Sequence, residues 1–266
     1  MKLESPTPDR DYWIAMCLFA FCTFMFIMAN RGTVNDNRLK VWLSWLASDR
    51  PERRELAASA LRDASAAVVP QLVRMVQSCD TNLQAQALPA FTALGVHAWP
   101  AIPELEQLLR QEASSLPAAR ALAAVGRSSL PTLTEALASP VRFVRSNAAR
   151  GIGLLHADGR PAVPLLVRVL NDRDDDLRYF ASRALGHIAA EPEQAVPALV
   201  ARMEDNSLEV RKMAIVSLGK FRGGATAAVP ALRHKALWGV NQDIRNAAVF
   251  ALKEIDPTAS ATSDMN

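Results

Sequence analysis

Four prolines, Pro131, Pro164, Pro197 and Pro230, stand 33 residues apart in a chain of 266. Gly153, Gly186 and Gly219 keep the same spacing, and so do Arg145, Arg178 and Arg211. Three residue types holding one period identify an internal repeat. A repeat of this length constrains the fold strongly, because each unit can bury its apolar side only against a neighbouring copy.

Within one unit, apolar or small residues recur at Leu177, Phe180, Ala181, Ala184, Leu185 and Ile188. Those offsets draw the stripe of an amphipathic helix. A shorter stripe runs from Val163 to Leu170, with Pro164 in the first turn, where a missing N–H costs nothing. Asn171 and Asp172 fall in the turn between the two helices, and Gly186 is expected in the last turn of the longer one, helping to end it. No sustained alternation signals a strand. The chain therefore reads as all-α, a solenoid of about seven helical hairpins over residues 39–257. Its second helices end near Arg62, Gly95, Gly126, Gly153, Gly186, Gly219 and Lys253. Pro89 falls inside the second of these helices and is expected to kink it.

Two successive units carry the motif most fully: AVP, LLVRVL, ND, LR and ASRALG in one, AVPALVARMEDNSLEVRKMAIVSLG in the next. This resembles the HEAT-repeat family, most closely its short, phycobilisome-lyase-type form. The resemblance implies that an Asp in the intra-repeat turn meets an Arg early in a second helix, often that of the neighbouring unit. Asp172 with Arg178 and Asp205 with Arg211 fit that pattern, six residues apart in each case, and Arg145 and Arg245 extend the ladder. The resemblance also brings bilin lyases, DNA glycosylases and iron-binding hydroxylases into view. The hydroxylases carry repeated His-Glu pairs, whereas here Ala98, Ala157, Ile188 and Lys235 follow the four histidines. No motif of a lyase can be placed residue by residue.

The N-terminal stretch has a different character. Residues 1–11 are polar and read as a disordered tail. Tyr12 to Ala29 then runs for 18 residues without a charge, about 27 Å as a helix and close to the hydrocarbon thickness of a bilayer. An apolar segment with no polar face fits a solenoid poorly, so it reads as an uncleaved single-pass anchor. Residues 30–38 read as a linker and 258–266 as a second disordered tail. Lys2, Arg10 and the amino terminus precede the segment, and Arg31, Arg38 and Lys40 follow it. Three cations on either side leave its orientation open. Leu39, Trp42, Leu43 and Leu46 then form the apolar face of the first solenoid helix.

Chemistry-bearing motifs are scarce. No His has a His or Cys partner three or four residues away, and no phosphate loop or G-x-S-x-G occurs. Neither a metal nor a cofactor is expected. The net charge of +3 is too small to argue for nucleic acid by itself, although arginine outnumbers lysine 24 to 6. Two of three cysteines lie in the apolar segment, so no disulfide framework is implied. The expected function is that of a membrane-tethered, non-catalytic scaffold for a protein or peptide partner. Its contact row is expected on second-helix positions away from the core stripe. These are Ser146, Ala149 and Arg150; Tyr179, Ser182 and Arg183; Lys212, Ile215 and Val216; and Asn246, Val249 and Phe250. Arginine and aromatic residues are those that interface hot spots favour. Asn147 and His97 stand at expected core positions and would need polar partners there.

Overall fold

Each helix folds back on the one before it, as a chain of amphipathic hairpins must if every apolar stripe is to be covered. The computed structural model describes residues 34–256. The tail 1–11, the apolar segment 12–29 and the tail 258–266 lie outside the described residues. Seven helix pairs follow in order, with no strand among the described residues. They are α1 (Asp36–Leu46) with α2 (Pro51–Asp63), α3 (Ser65–Gln77) with α4 (Thr81–Leu94), and α5 (Ile102–Leu109) with α6 (Glu112–Val125). Next come α7 (Leu130–Ala136) with α8 (Arg142–Leu154) and α9 (Val163–Val169) with α10 (Asp175–Ile188). The last two pairs are α11 (Pro192–Arg202) with α12 (Leu208–Lys220) and α13 (Val229–Trp238) with α14 (Gln242–Ile255). The even-numbered helices stack one on the next from α2 to α14. One apolar core runs through the whole array, from Leu39 to Ile255. Helix α1 begins at Asp36, inside the stretch expected to be a linker, because Asn35 caps it by accepting from the Arg38 N–H.

Pro131, Pro164 and Pro230 sit in the first turns of α7, α9 and α13. Pro197 does not. Ala189 and Glu191 adopt left-handed backbone at φ 46° and 52°, the chain reverses within three residues, and Pro192 starts α11 five residues earlier. The other long connections coil as 3₁₀ turns, at Gly95–Ala101, His156–Ala162 and Arg222–Ala228. Helix α4 runs as one element across Pro89.

The ladder is built differently from the pairing expected six residues apart. Arg178 donates through Nη1 to the backbone carbonyl of Asp172 at 2.9 Å, and through Nε and Nη2 to the carboxylate of Asp205 at 2.8 and 2.7 Å. A guanidinium has two usable edges. One closes its own turn and the other clips the following unit. Arg145 repeats the first contact on Ser139, Arg211 on Asp205 and Arg245 on Gly239. Asp205 therefore meets Arg178 and Arg202, while Arg211 reaches only its carbonyl. Asp174 takes the closer contacts from the preceding unit, accepting from Arg142 and Arg145, while the Asp172 carboxylate forms a longer ion pair with Arg145 at 3.9 Å. The Asp172 carboxylate also accepts from the Asp174 N–H. The same turn closure occurs on Arg54 with Ser48 and on Gln84 with Ser78.

Gly186 lies in the last turn of α10 as expected, but the left-handed cap falls at Ala189 and not at the glycine. Gly186 is buried, and a Cβ there would stand 2.7–2.9 Å from Ser217. Gly153 and Gly219 face Ala184 and Ala251 of the next second helix in the same way.

Candidate functional site

The second helices carry arginines one repeat apart: Arg120 on α6, Arg150 on α8 and Arg183 on α10. They border a shallow groove of about 70 Å³ floored by Leu116, Ala119, Ala149 and Ala184, with Leu154, Phe180 and His187 on its walls. The guanidinium of Arg150 lies over the Phe180 ring, 4.6 Å from its centroid. Tyr179 stands edge-on to the same ring at 5.0 Å. Phe180, read in the sequence as a core residue, is half-buried because it serves as the platform for Arg150.

Electrostatically this is a row of like charges. None of the three arginines makes an ion pair or a side-chain hydrogen bond among the described residues. Burial is the main influence holding the Arg150 pKa below the ordinary guanidinium value, and repulsion from Arg120 and Arg183 adds to it. At the end of the groove His187 stacks on His156 of the preceding connection, with centroids 5.8 Å apart and planes 12° from parallel. Burial, then Arg183, His156 and Lys220, push the His187 pKa down, so its neutral form is favoured. Among the described residues no three His, Cys, Asp or Glu side chains gather as a metal site.

The expected contact row divides. Arg150 and Arg183 line the groove, while Val216 and Phe250 hold the equivalent positions on α12 and α14 beyond it, with Phe250 53% exposed. Tyr179 is half-buried against Phe180. The Lys212 ammonium pairs with Asp243 of the next unit at 3.2 Å, so it is engaged rather than free. Ser146, Ser182 and Ile215 are buried between neighbouring second helices instead of facing a groove, and Ala149 is buried in the groove floor. Ser182 satisfies itself by donating to the Arg178 carbonyl. Asn147 finds its partner in the Ser115 hydroxyl of the preceding unit, at 2.9 Å. His97 is exposed in the turn after α4 and not in the core, because Gly95 ends that helix before it.

Arg120, Phe180 and His187 escaped the reading of the sequence. Arg120 is 30 residues before Arg150 rather than 33, so a fixed period steps past it. His156 and His187 meet across two units, beyond the reach of any local spacing.

These features define a helical-hairpin solenoid with a cationic groove on its second-helix face. A family model described as HEAT repeats matches residues 163–253, the stretch from α9 into α14. No curated protein matches the chain. An engineered protein of known structure is similar over 84% of this chain and 98% of its own, at 22% identity and a TM-score of 0.50. A second engineered protein is similar over 82% and 68%, at 24% identity and a TM-score of 0.45. The complex of CpcE and CpcF of phycocyanin lyase from Nostoc sp. PCC7120 is similar over 88% and 92%, at 22% identity and a TM-score of 0.42. At these identities the likeness is one of fold alone.

Proposed function

We propose that the chain is a membrane-tethered, non-catalytic scaffold whose second-helix groove holds a segment of another protein. One observation carries this reading. Arg120, Arg150 and Arg183 line a single groove without an acidic partner, so like charges are held together at a cost that a bound partner would offset. A lowered His187 pKa is a feature an enzyme would also show. Its causes here are burial and cations, and the groove lining offers no carboxylate, thiol or hydroxyl to share in chemistry. The tether is the uncharged run Tyr12–Ala29. Among the described residues no helix is long and apolar enough to cross a membrane. Tethering would raise the partner's effective concentration at the bilayer surface.

The test uses the full chain in cells, with a photocrosslinking residue at Val216. The chain is expected to stay with membranes through alkaline extraction and to give one discrete crosslinked adduct. The adduct should disappear in the Arg150→Glu, Arg183→Glu variant. Release by alkali would remove the tether, and an adduct unchanged by those substitutions would remove the groove.

A further inference from the structure

The groove holds more than a charge. Continued past the groove at equivalent positions, one from each successive second helix, the row reads Arg120, Arg150, Arg183, Val216, Phe250. Three cationic positions are followed by two apolar ones. Stacked helices lie about 8–10 Å apart. A peptide in the polyproline II conformation advances about 3.1 Å per residue with about three residues per turn, so every third side chain of a segment laid along the row returns to the same face and meets the next helix. We infer that the partner segment is an extended acidic peptide. It carries carboxylates at three positions spaced by three and apolar side chains at the next two such positions.

This rests on the scaffold reading above and adds the chemistry of the occupant. Carboxylates suit the cationic part because guanidinium edges bind them bidentately. Arg150 is pre-positioned for this by its stack on Phe180, which lowers the ordering cost of binding. The apolar part distinguishes a peptide from a nucleic acid. A phosphate backbone would place charge against Val216 and the exposed ring of Phe250, whereas an apolar peptide side chain covers both. The Phe180 face that could stack a base is already occupied by Arg150. Lys212 does not extend the cationic part, since Asp243 neutralises it.

The experiment is fluorescence anisotropy on the full chain in detergent, with labelled synthetic peptides. One peptide carries glutamate at three successive third positions, leucine at the next two, and serine between. A second has the reversed order, to cover both chain directions. A third has the same composition with its glutamates contiguous. A single-stranded oligonucleotide is the fourth probe. One of the first two should bind about tenfold or more tighter than the third, and more weakly as salt rises. Arg120→Glu, on an exposed side chain, should remove most of that preference, as should Phe250→Glu. A melt followed by circular dichroism checks that both variants stay folded.

Equal binding of the spaced and contiguous peptides overturns the inference, as does binding unaffected by Arg120→Glu. Tighter binding of the oligonucleotide assigns the row to nucleic acid and overturns it too. If the peptides fail while the groove-dependent crosslink in cells persists, the scaffold stands and only the spacing pattern falls.

Discussion

The first three hairpins and the last four solve the same stacking problem with different uses of glycine. In the first part, Gly95 and Gly126 follow the second helices at φ 51° and 90°, and a Cβ at either would meet nothing within 4 Å. They are needed for backbone conformation alone. In the second part, Gly153, Gly186 and Gly219 have moved inside the helices, where neighbouring backbones come too close for a side chain. The left-handed position after those helices is then left to His156, Ala189 and Arg222, at φ 50°, 46° and 50°. The regular part accepts local backbone strain in order to pack its second helices more tightly. The bidentate arginine contacts also belong to this part, on Asp174 and Asp205. Regular glycine spacing here reports inter-helix contact rather than helix ending.

The largest effect should come from charging that contact. Leu185 is fully buried between its neighbours in the regular part. Leu185→Asp places a carboxylate there without a partner and should cost about 4 kcal/mol or more. Circular dichroism melting should show the loss of the main cooperative transition. A melt matching the parent chain would mean that α10 stacks in a different register.

The ladder comes next. The carboxylate of Asp205 is only 2% exposed, and it meets both Arg178 and Arg202. Asp205→Ala leaves Arg178, itself 11% exposed, without its acceptor, and a loss of about 3 kcal/mol is expected. Burial works against the charged form of Asp205, but the bond from Arg178 and the Ser207 N–H outweigh it, so the pKa lies below the ordinary carboxylate value. Asp174 is lowered as well, first by Arg142. A lowered folded-state pKa gives stability that is fully present above the unfolded value, near about 4, and lost as pH falls through the folded one. Acid titration of stability should therefore be flatter in an Asp174→Asn, Asp205→Asn variant than in the parent.

The glycine contrast itself can be tested by pairing two substitutions. Gly186→Ala must push Ser217 away and should cost about 2 kcal/mol, as overpacking does. Gly126→Ala meets no atoms and should cost about 1 kcal/mol from left-handed backbone alone. Gly186→Ser should be worse than Gly186→Ala, whereas Gly126→Asn should be no better and no worse than Gly126→Ala, because φ 90° with ψ −155° lies outside the left-handed helical region that asparagine tolerates and the site is open to a larger side chain. Urea unfolding midpoints decide the matter, and equal responses at both sites would dissolve the distinction between the two parts.

Much of the architecture was legible because stacking forces a period on the sequence. The Leu177–Ile188 stripe marks α10, and the proline spacing places the first turns of α7, α9 and α13. What could not be read depends on contacts between units. Arg178 sits six residues after Asp172, which invites a side-chain pair, but the guanidinium takes the Asp172 carbonyl and sends its other edge to Asp205. Pro197 shares the period of the other prolines yet lies within α11, since Pro192 nucleates that helix first. At the groove, Arg150 and Arg183 follow the period. Arg120 does not, because the early units are shorter, and Phe180 reads as core until Arg150 is seen above it.

The smallest predicted effect separates the histidine stack from the rest of the regular part. His187 faces Arg183 and Lys220 from α10 and α12, and His156 from the connection before α9. Its pKa is lowered, first by burial and then by those cations. A histidine lowered in this way contributes stability that is complete above its unfolded pKa of about 6.5 and declines as pH falls toward its folded one. His187→Gln should remove that decline while leaving the acid-range loss from Asp174 and Asp205 in place, since neither carboxylate is among the groups that shift His187. Chemical unfolding measured in small pH steps resolves the two windows. If the decline near neutrality survives His187→Gln, the stack is not its source. If it vanishes together with the acid-range loss, the groove and the ladder titrate as one network, and their division into separate devices fails.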